Sequence, residues 1–310
     1  MIPFLKASAL TFTFLCLTFE VAAQSIPEQF NEIAKSPRTI FYSNALPLNE
    51  EGGHLQGVQF HPSGDDSFVL SGSSSTYAYY LVVIGNQVIQ VVELGQKPMK
   101  HAGGIQLADG YLAVGIEDNS AKDKSEVHIY QIDGSEIQEK PNWVIYRKGE
   151  VMRATAGSVG IVREQNELLV AVGDWDSKNL DFYHIDLKAP GSSLITPFAT
   201  VETKRLPRAD WIDDSWHSYQ NINLIRDDDG KLYLVGMGVD EKEQNVADLY
   251  EVVMNDDGCV LKKVSSRTFQ SDPAVSFRAG AGIQKAEDGK LRVISCGNHI
   301  GKGAILQIWE

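Results

Sequence analysis

Residues 101–115, HAGGIQLADGYLAVG, decide the fold of this chain. They comprise an apolar segment with two glycines, the pair Asp109-Gly110, and a second apolar segment that ends in glycine. Strand-forming residues on both sides of an Asp-Gly pair are typical of a tight β-hairpin, because both turn positions then accept a positive φ. The stretch therefore predicts two adjacent antiparallel strands.

The same pattern occurs five times along the chain. The repeats start at residues 54, 101, 155, 218 and 279, so successive starts are 47 to 63 residues apart. Third apolar segments follow at residues 77–84, 126–132, 180–187, 247–254 and 304–309. Fourth segments follow at residues 88–94, 143–147, 198–205 and 260–266. A repeat of this length suits a four-stranded antiparallel unit and is too long for leucine-rich repeats.

The fifth repeat has no fourth segment of its own, because only Glu310 follows residues 304–309. Residues 39–48, TIFYSNALPL, form an apolar segment before the first repeat and can supply the missing strand. Pairing these two segments would close a ring and remove an unpaired edge. The sequence predicts an all-β fold: a single five-bladed β-propeller over residues 39–310, with four-stranded antiparallel blades. It resembles the β-propeller superfamily in architecture, without a repeated Trp-Asp or kelch signature that would indicate a specific family.

The first 23 residues have the layout of a cleavable export signal. An early Lys6 precedes an apolar run over residues 7–19 and the small-residue ending Val21-Ala22-Ala23. A lipid anchor on Cys16 is the weaker alternative, because a bulky leucine precedes it. The apolar run is shorter than the roughly 20 residues of a membrane span. We expect an exported protein, extracellular or periplasmic, with residues 24–38 as an N-terminal extension of tail-like composition.

The charge of the chain excludes some partners. The formal net charge is −13, which disfavours nonspecific binding to nucleic acid or to an anionic membrane. Only Cys259 and Cys296 remain after removal of the signal. In an oxidising compartment they are a candidate disulfide, and two separate buried thiols are the alternative.

The propeller topology predicts a functional site at one mouth of the ring, where inner strands begin and second strands end. The polar and aromatic residues predicted there as ligand-binding are His54, Lys100, His101, Arg153, Asp174, Trp175, His217, Asp240, Arg278 and His299. Arginine and histidine at a mouth suit an anionic or polyhydroxylated ligand, such as a saccharide or a phosphate ester. The alternative is that these cations only pair with neighbouring carboxylates, and that Trp175 packs between blades and does not stack on a sugar.

A cofactor is not predicted from any motif. His54, His101 and His217 with Asp174 could hold a divalent metal if they meet at the axis, but no established metal-binding spacing occurs. The chain also has no Gly-x-Ser-x-Gly elbow, no phosphate-binding Gly-x-x-x-x-Gly-Lys loop and no Gly-x-Gly-x-x-Gly motif. Nucleotide cofactors and the common serine hydrolase chemistry are therefore disfavoured.

Three functions remain open. One is a binding protein for a small molecule or glycan. Another is a protein-interaction module using the loop from Trp211 to Trp216.

The remaining one is a carbohydrate-active enzyme. Many five-bladed propellers are glycoside hydrolases, and that resemblance implies acids on the inner strands, where this chain has basic residues. In residue types the chain also resembles propeller polysaccharide lyases. That resemblance implies neutralisation of a uronate by Arg278 or Arg153, with His101, His217 or Tyr219 as the base.

Overall fold

The structure is a computed structural model that describes residues 24–44, 54–134, 136–188, 195–255, 258–286 and 288–310. The predicted export signal and residues 45–48 of the predicted closing strand lie outside these ranges. The described residues form five four-stranded antiparallel blades arranged around an axis; one parallel pairing joins two of the blades into an eight-stranded sheet, and another blade carries an additional two-residue strand. The protein is a five-bladed β-propeller.

In each blade the strands run in order from the axis outward. Blade 1 consists of β2 (His54–Phe60), β3 (Ser67–Ser73), β4 (Tyr77–Ile84) and β5 (Gln87–Gln96). Blade 2 consists of β6 (His101–Ala108), β7 (Tyr111–Glu117), β8 (Lys124–Asp133) and β10 (Trp143–Lys148), with the short β9 (Glu136–Ile137) paired to β8. Blade 3 consists of β11 (Ser158–Glu164), β12 (Glu167–Gly173), β13 (Asn179–Asp186) and β14 (Ile195–Glu202). Blade 4 consists of β15 (Asn221–Arg226), β16 (Leu232–Val239), β17 (Asn245–Asn255) and β18 (Gly258–Phe269). Blade 5 consists of β19 (Val275–Lys285), β20 (Leu291–Gly297), β21 (Gly303–Trp309) and β1 (Arg38–Ser43).

The closing strand lies where the repeat predicts it. Strand β1 pairs antiparallel with β21, from Arg38↔Ile308 to Ser43↔Gly303. One parallel pairing, Ser43↔Gln87, also joins β1 to the outer strand of blade 1. The pairing covers the edge that β21 would otherwise expose, so the first strand of the chain locks the last blade.

Some strand boundaries differ from the sequence prediction. The predicted fourth strand of blade 3 extends to residue 205, but β14 ends at Glu202 and a 3₁₀ turn, Thr203–Arg205, follows. Strands β11 and β15 each begin three residues later than the repeat indicates. In blade 3 the reason is a bond between blades: the Gly157 carbonyl accepts from Gly104 N at 2.8 Å. The carbonyl of Gly157 therefore accepts a hydrogen bond from blade 2 and not from a neighbouring strand of blade 3.

Five apolar clusters fill the five junctions between adjacent blades. Alternation along each strand places one set of side chains against the preceding blade and the other against the following one. Trp309 is fully buried between blades 4 and 5, where it packs edge-on against Phe277. Burial on both faces explains why the second strands of the blades, such as β7 and β12, are almost continuously apolar.

The N-terminal extension is folded and is not a tail. Helix α1 (Ile26–Glu32) buries Ile26 and Phe30 in the cluster between blades 4 and 5. The backbone N–H of Ile26 donates to Asp227 Oδ2 at 3.0 Å, which ties the helix to a hairpin of blade 4. None of the helices in the described ranges has the length and apolar character of a membrane span.

The candidate disulfide is not formed: Cys259 and Cys296 are both free thiols, which is the alternative that the sequence left open. Cys259 lies on the outer strand of blade 4, against the cluster shared with blade 3. Cys296 is fully buried on β20, in the cluster between blades 5 and 1. The two residues belong to different blade junctions, and burial raises the pKa of each thiol above its ordinary value.

Candidate ligand-binding mouth

The mouth is the end of the ring where inner strands begin and second strands end. At this end the register pairs His54 with Ser73 in blade 1 and His101 with Glu117 in blade 2. The turns of the inner hairpins lie at the opposite end, where Asp109 and Gly110 have φ values of 53° and 82°. Residues that begin inner strands therefore converge on the mouth, as the topology predicts.

The axis beneath the mouth is closed by protein atoms. Glycines let neighbouring inner strands approach so closely that a Cβ on Gly103 would overlap the Gly157 carbonyl, and a Cβ on Gly282 would overlap that of Val58. Buried amide side chains complete this plug, including Gln106, whose Oε1 accepts from Leu224 N at 2.8 Å. A ligand would therefore rest on the mouth and not pass into a through-channel.

Four basic residues gather at the mouth between blades 5, 1 and 2: His54, Lys100, His101 and His299, here called the histidine–lysine cluster. The ring centroids of His54 and His101 are 5.4 Å apart. His54 and His299 form an antiparallel bridge between blades 1 and 5. The pKa of His54 is lowered to about 4, first by burial and then by the charges of the other three members. These side chains repel one another when protonated, so the cluster favours a bound anion.

One carboxylate lies beneath this cluster. Glu117 is 1% exposed, and its Oε1 lies 3.1 Å from His101 Nδ1. Its Oε2 accepts a hydrogen bond from Ala156 N at 2.9 Å, which fixes the carboxylate between blades 2 and 3. The contact is an ion pair when His101 is protonated, and it does not have hydrogen-bond geometry.

Arg153 lies at the mouth of blade 3 but is held by a carboxylate that sequence analysis missed. Its Nη1 donates to Asp181 Oδ2 at 2.6 Å, and its Nη2 contacts Oδ1 of the same residue. Arg147 Nη1 shares Oδ2 at 2.6 Å. Burial raises the pKa of Asp181, but the hydrogen bond from Arg153 and the charge of Arg147 outweigh it and leave that pKa below its ordinary value. This arginine is therefore paired as the alternative interpretation expects.

Asp174 and Trp175 are also engaged by protein groups. Asp174 is buried and accepts from Asn179 N and Asn179 Nδ2, and burial raises its pKa. One face of the Trp175 ring lies under the ammonium of Lys122, 3.4 Å from its centroid. The cation–π contact leaves the other face for packing or for a ligand.

Tyr219 is excluded as a base, because it is buried in a network at the junction of blades 3 and 4. Its hydroxyl donates to Asp248 Oδ2 and lies 2.6 Å from the Tyr250 hydroxyl. Burial and these neighbours raise its pKa well above the ordinary value. His217 borders the same network, with Nε2 3.7 Å from Asp248 Oδ2. Sequence analysis assigned Tyr219 wrongly because the inner strand begins two residues after it.

Arg278 and Asp240 lie on the rim between blades 4 and 5. Arg278 Nη2 forms a largely exposed ion pair with Glu243, 3.1 Å apart. Asp240 Oδ1 accepts from Lys242 N at 2.9 Å within a turn. Both line a groove of about 650 Å³ together with His217. The predicted lyase set is not assembled as a whole: Arg278 and His217 share this groove, whereas Arg153 is paired with Asp181 in blade 3.

The predicted metal set is not assembled either. His54 and His101 are neighbours, but His217 lies with Asp248 in blade 4, and Asp174 is bonded to Asn179. Across the described residues no group of three or more His, Cys, Asp or Glu side chains could hold a metal ion.

A buried ion pair in blade 4 has no counterpart in the sequence predictions. Lys263 and Asp248 both have fully buried side chains, with Nζ 3.2 Å from Oδ2. Lys263 Nζ also donates to Asp213 Oδ1 at 2.9 Å and to Ser215 Oγ at 2.7 Å, which ties the loop before β15 to β18. No sequence signal distinguishes Lys263 from the solvated lysines of an outer strand.

The tryptophans of that loop are packed against the blades. Trp211 is buried and donates from Nε1 to Leu261 O at 3.0 Å. Trp216 donates from Nε1 to Ser177 O at 3.2 Å, and its ring lies 5.1 Å from that of Tyr250. The loop therefore covers the junction of blades 3 and 4, and its tryptophans do not form an exposed docking surface.

Two grooves on the face opposite the mouth do not form a comparable site. They have volumes of about 660 and 650 Å³ and are lined largely by charged hairpin residues. Several of these charges are already paired: Arg226 contacts Glu164, and Arg292 Nη1 lies 2.8 Å from Asp65 Oδ1. The grooves on the two faces have similar volumes, so volume does not identify the binding face. The arrangement of charged side chains favours the mouth.

No protein-family model and no curated protein matches the sequence. Similar solved structures include an endo-arabinase from Bacteroides thetaiotaomicron, with 12% identity, coverage of 87% of this chain and 97% of that one, and a TM-score of 0.46. The catalytic domain of a GH62 α-L-arabinofuranosidase from Coprinopsis cinerea has 8% identity, coverage of 89% and 97%, and a TM-score of 0.48. A luciferin-regenerating enzyme has 10% identity, coverage of 82% and 77%, and a TM-score of 0.43. These likenesses do not assign a function to this chain.

Proposed function

We propose that this protein binds an anionic ligand, an acidic saccharide or a phosphate ester, at the histidine–lysine cluster. The observation that carries the proposal is the convergence of three imidazoles and one ammonium group on one part of the mouth. In the ion pairs of the described residues, Glu117 is the one acid that contacts a member of the cluster. A protein with a net charge of −13 has thus kept a locally basic surface.

The chemistry of the cluster suits an anion better than a neutral molecule. Lys100 contributes a fixed positive charge and donates from Nζ to the Ser75 carbonyl at 3.1 Å, which holds its stem over the mouth. An anion brought to His54 would offset the positive neighbours that, after burial, lower the pKa of this residue, so the pKa would rise on binding. Charge-assisted hydrogen bonds of this kind are stronger than neutral ones.

The proposal is tested by titrating the protein with acidic saccharides, phosphate esters and matched neutral sugars in a calorimeter. Lys100→Ala and His101→Ala are expected to weaken binding of the anionic ligand by about tenfold or more, because each loses a charge-assisted bond. Arg278→Ala is the matched control, since its exposed ion pair lies on the rim away from the cluster. Binding that is lost in Arg278→Ala but retained in the other two variants would place the site elsewhere and overturn the proposal.

A second candidate is elimination on an acidic glycan at the same cluster. The proximity of His101 to Glu117 favours it, because an imidazole beside a carboxylate is a suitable base. Lys100 would neutralise the uronate carboxylate in place of the paired arginines. A lyase is distinguished by the ultraviolet absorbance of an unsaturated product, which His101→Ala would abolish. Binding of the glycan without formation of an unsaturated product would support the binding function and not the lyase.

Hydrolysis receives less support from this mouth. Glycoside hydrolysis generally needs two carboxylates about 5 to 10 Å apart across the scissile bond. The described inner strands carry one acid, Glu164, at the end opposite the mouth. Glu117, Asp174 and Asp181 are at the mouth, but each already accepts bonds from protein groups.

A further inference from the structure

A groove adjoins the histidine–lysine cluster on the side of the closing strand. It has a volume of about 690 Å³ and lies between β1, β21 and the segments before β19 and after β20. This volume is within the range of small-ligand sites. His299 lines the groove and also bridges His54, so groove and cluster share one residue.

The lining of the groove is mixed in character. It includes the apolar Phe41, Pro273 and Ile305 and the polar Asn298, His299 and Lys302. Phe41 pairs with Ile305 across the closing strand and is 71% exposed. A lone exposed aromatic residue is ordinary. An exposed ring that shares a groove with three hydrogen-bonding side chains is a combination that suits an amphipathic ligand.

We propose that the mouth takes an acidic oligosaccharide in two adjoining subsites, with a charged unit on the histidine–lysine cluster and a neighbouring sugar ring in the groove against Phe41. The inference rests on the proposed function, because the cluster supplies the charged subsite. A sugar ring has an apolar face that can lie on an aromatic ring and hydroxyls at its edge that can bond to Asn298 or Lys302. A purely apolar occupant would leave these polar side chains without bonds from the ligand.

The choice of ligand class follows from this arrangement. A monosaccharide or a simple phosphate ester would fill the cluster and leave the groove empty. An oligosaccharide would use both, and Lys302 would add a positive charge beside the second unit. The protein is therefore expected to discriminate by chain length as well as by charge.

The experiment compares binding of galacturonic acid, glucuronic acid and a galactose sulfate, each as the monosaccharide and as an oligosaccharide of the same unit. Wild-type protein is expected to bind the oligosaccharide at least about tenfold more tightly than the monosaccharide, given the usual contribution of one stacking contact. Phe41→Ala is expected to remove this difference and to leave monosaccharide binding unchanged. Tyr146→Ala, which removes a 73% exposed aromatic ring from the outer strand of blade 2, is the matched control.

The outcomes separate the two proposals. Equal affinity for both lengths, or no effect of Phe41→Ala while His101→Ala still weakens binding, overturns the groove and leaves the proposed function standing. An equal loss in Phe41→Ala and Tyr146→Ala would also overturn the groove subsite. If none of these acidic sugars and no phosphate ester binds the wild type, both proposals fail. Unfolding curves of the variants check that each remains folded, as expected for exposed side chains.

Discussion

His54 shows how position changes the chemistry of one residue. The same imidazole in an unfolded chain has a pKa near 6.5, whereas burial and three basic neighbours lower it to about 4 in the fold. Between these two values the unfolded chain binds more protons than the folded protein. The free energy of unfolding contributed by this residue is therefore complete above about pH 6.5 and falls as the pH decreases toward 4.

His54→Gln is expected to flatten this part of the stability profile, because glutamine does not titrate. Urea unfolding of both proteins at pH 4.5 and pH 7 measures the difference between them. When the pH is lowered from 7 to 4.5, the wild type is expected to lose more of its free energy of unfolding than the variant. A constant difference would show that His54 titrates alike in the folded and unfolded chains.

The same residue predicts the pH dependence of binding. A bound anion stabilises protonated His54, so binding is accompanied by proton uptake and strengthens as the pH falls from 7 toward 5. Calorimetry in buffers of different ionisation enthalpy measures this uptake directly. The His54→Gln variant provides the control, since its uptake is expected to be smaller.

At the scale of elements, the loop before β15 is held to blade 4 by a fully buried lysine. Lys263 bonds Asp213 and Ser215 of the loop and lies beside Asp248 in the sheet. Removal of one partner of a buried ion pair leaves the other charge without compensation. The loop and the sheet are therefore expected to lose stability together.

Lys263→Met is expected to lower the free energy of unfolding by about 3 to 5 kcal/mol, as is typical for a broken buried ion pair. The double variant with Asp248→Leu is expected to regain part of this loss, since it buries no unpaired charge. Arg278→Ala, which breaks an exposed ion pair, is expected to cost less than about 1 kcal/mol. Urea unfolding measures all three. A double variant no more stable than Lys263→Met would contradict this account.

The elements themselves were predictable because their signals are local. The five inner hairpins, each made of the first two strands of a blade, appear within a few residues of their predicted positions. The same holds for the third strands and for most fourth strands. The predicted fourth strand of blade 3 is the exception, because residues 203–205 form a 3₁₀ turn. The composition does not change between the strand and this turn, so nothing in the sequence marks where the turn begins. Helix α1 was missed although Ser25 and Glu28 form a capping box, because a helix of seven residues depends for its stability on burial, here of Ile26 and Phe30 between two blades.

At the scale of the whole molecule, an amide plug joins blades that are distant in sequence. Gln106 Oε1 accepts from Ile161 N at 2.7 Å and from Leu224 N at 2.8 Å, while its Nε2 donates to Leu224 O at 2.7 Å. One side chain of blade 2 thus satisfies backbone groups of blades 3 and 4. The axis is stabilised by bonds between blades as well as by close glycine packing.

Gln106→Leu is expected to destabilise the ring, because it leaves buried N–H groups of two other blades without an acceptor. Each such group costs about 1 to 3 kcal/mol. Gln90→Leu, on an exposed position of the outer strand of blade 1, is the matched control and is expected to have little effect. Thermal and urea unfolding measure the loss. Equal stability of the two variants would show that the plug contributes nothing to the ring.

The amino-acid pattern alone was enough to predict the number of blades and the order of strands, and it predicted the end of the ring at which we propose a site. These features depend on alternation, glycine and Asp-Gly turns, which act between residues close in the chain. Only the tertiary structure decided which charges at the mouth are paired. Arg153 meets Asp181, and Arg278 meets Glu243, whereas His54, His101 and His299 come together from three blades. Ion pairs depend on distances between side chains that are far apart in sequence, and those distances exist only once the ring has closed.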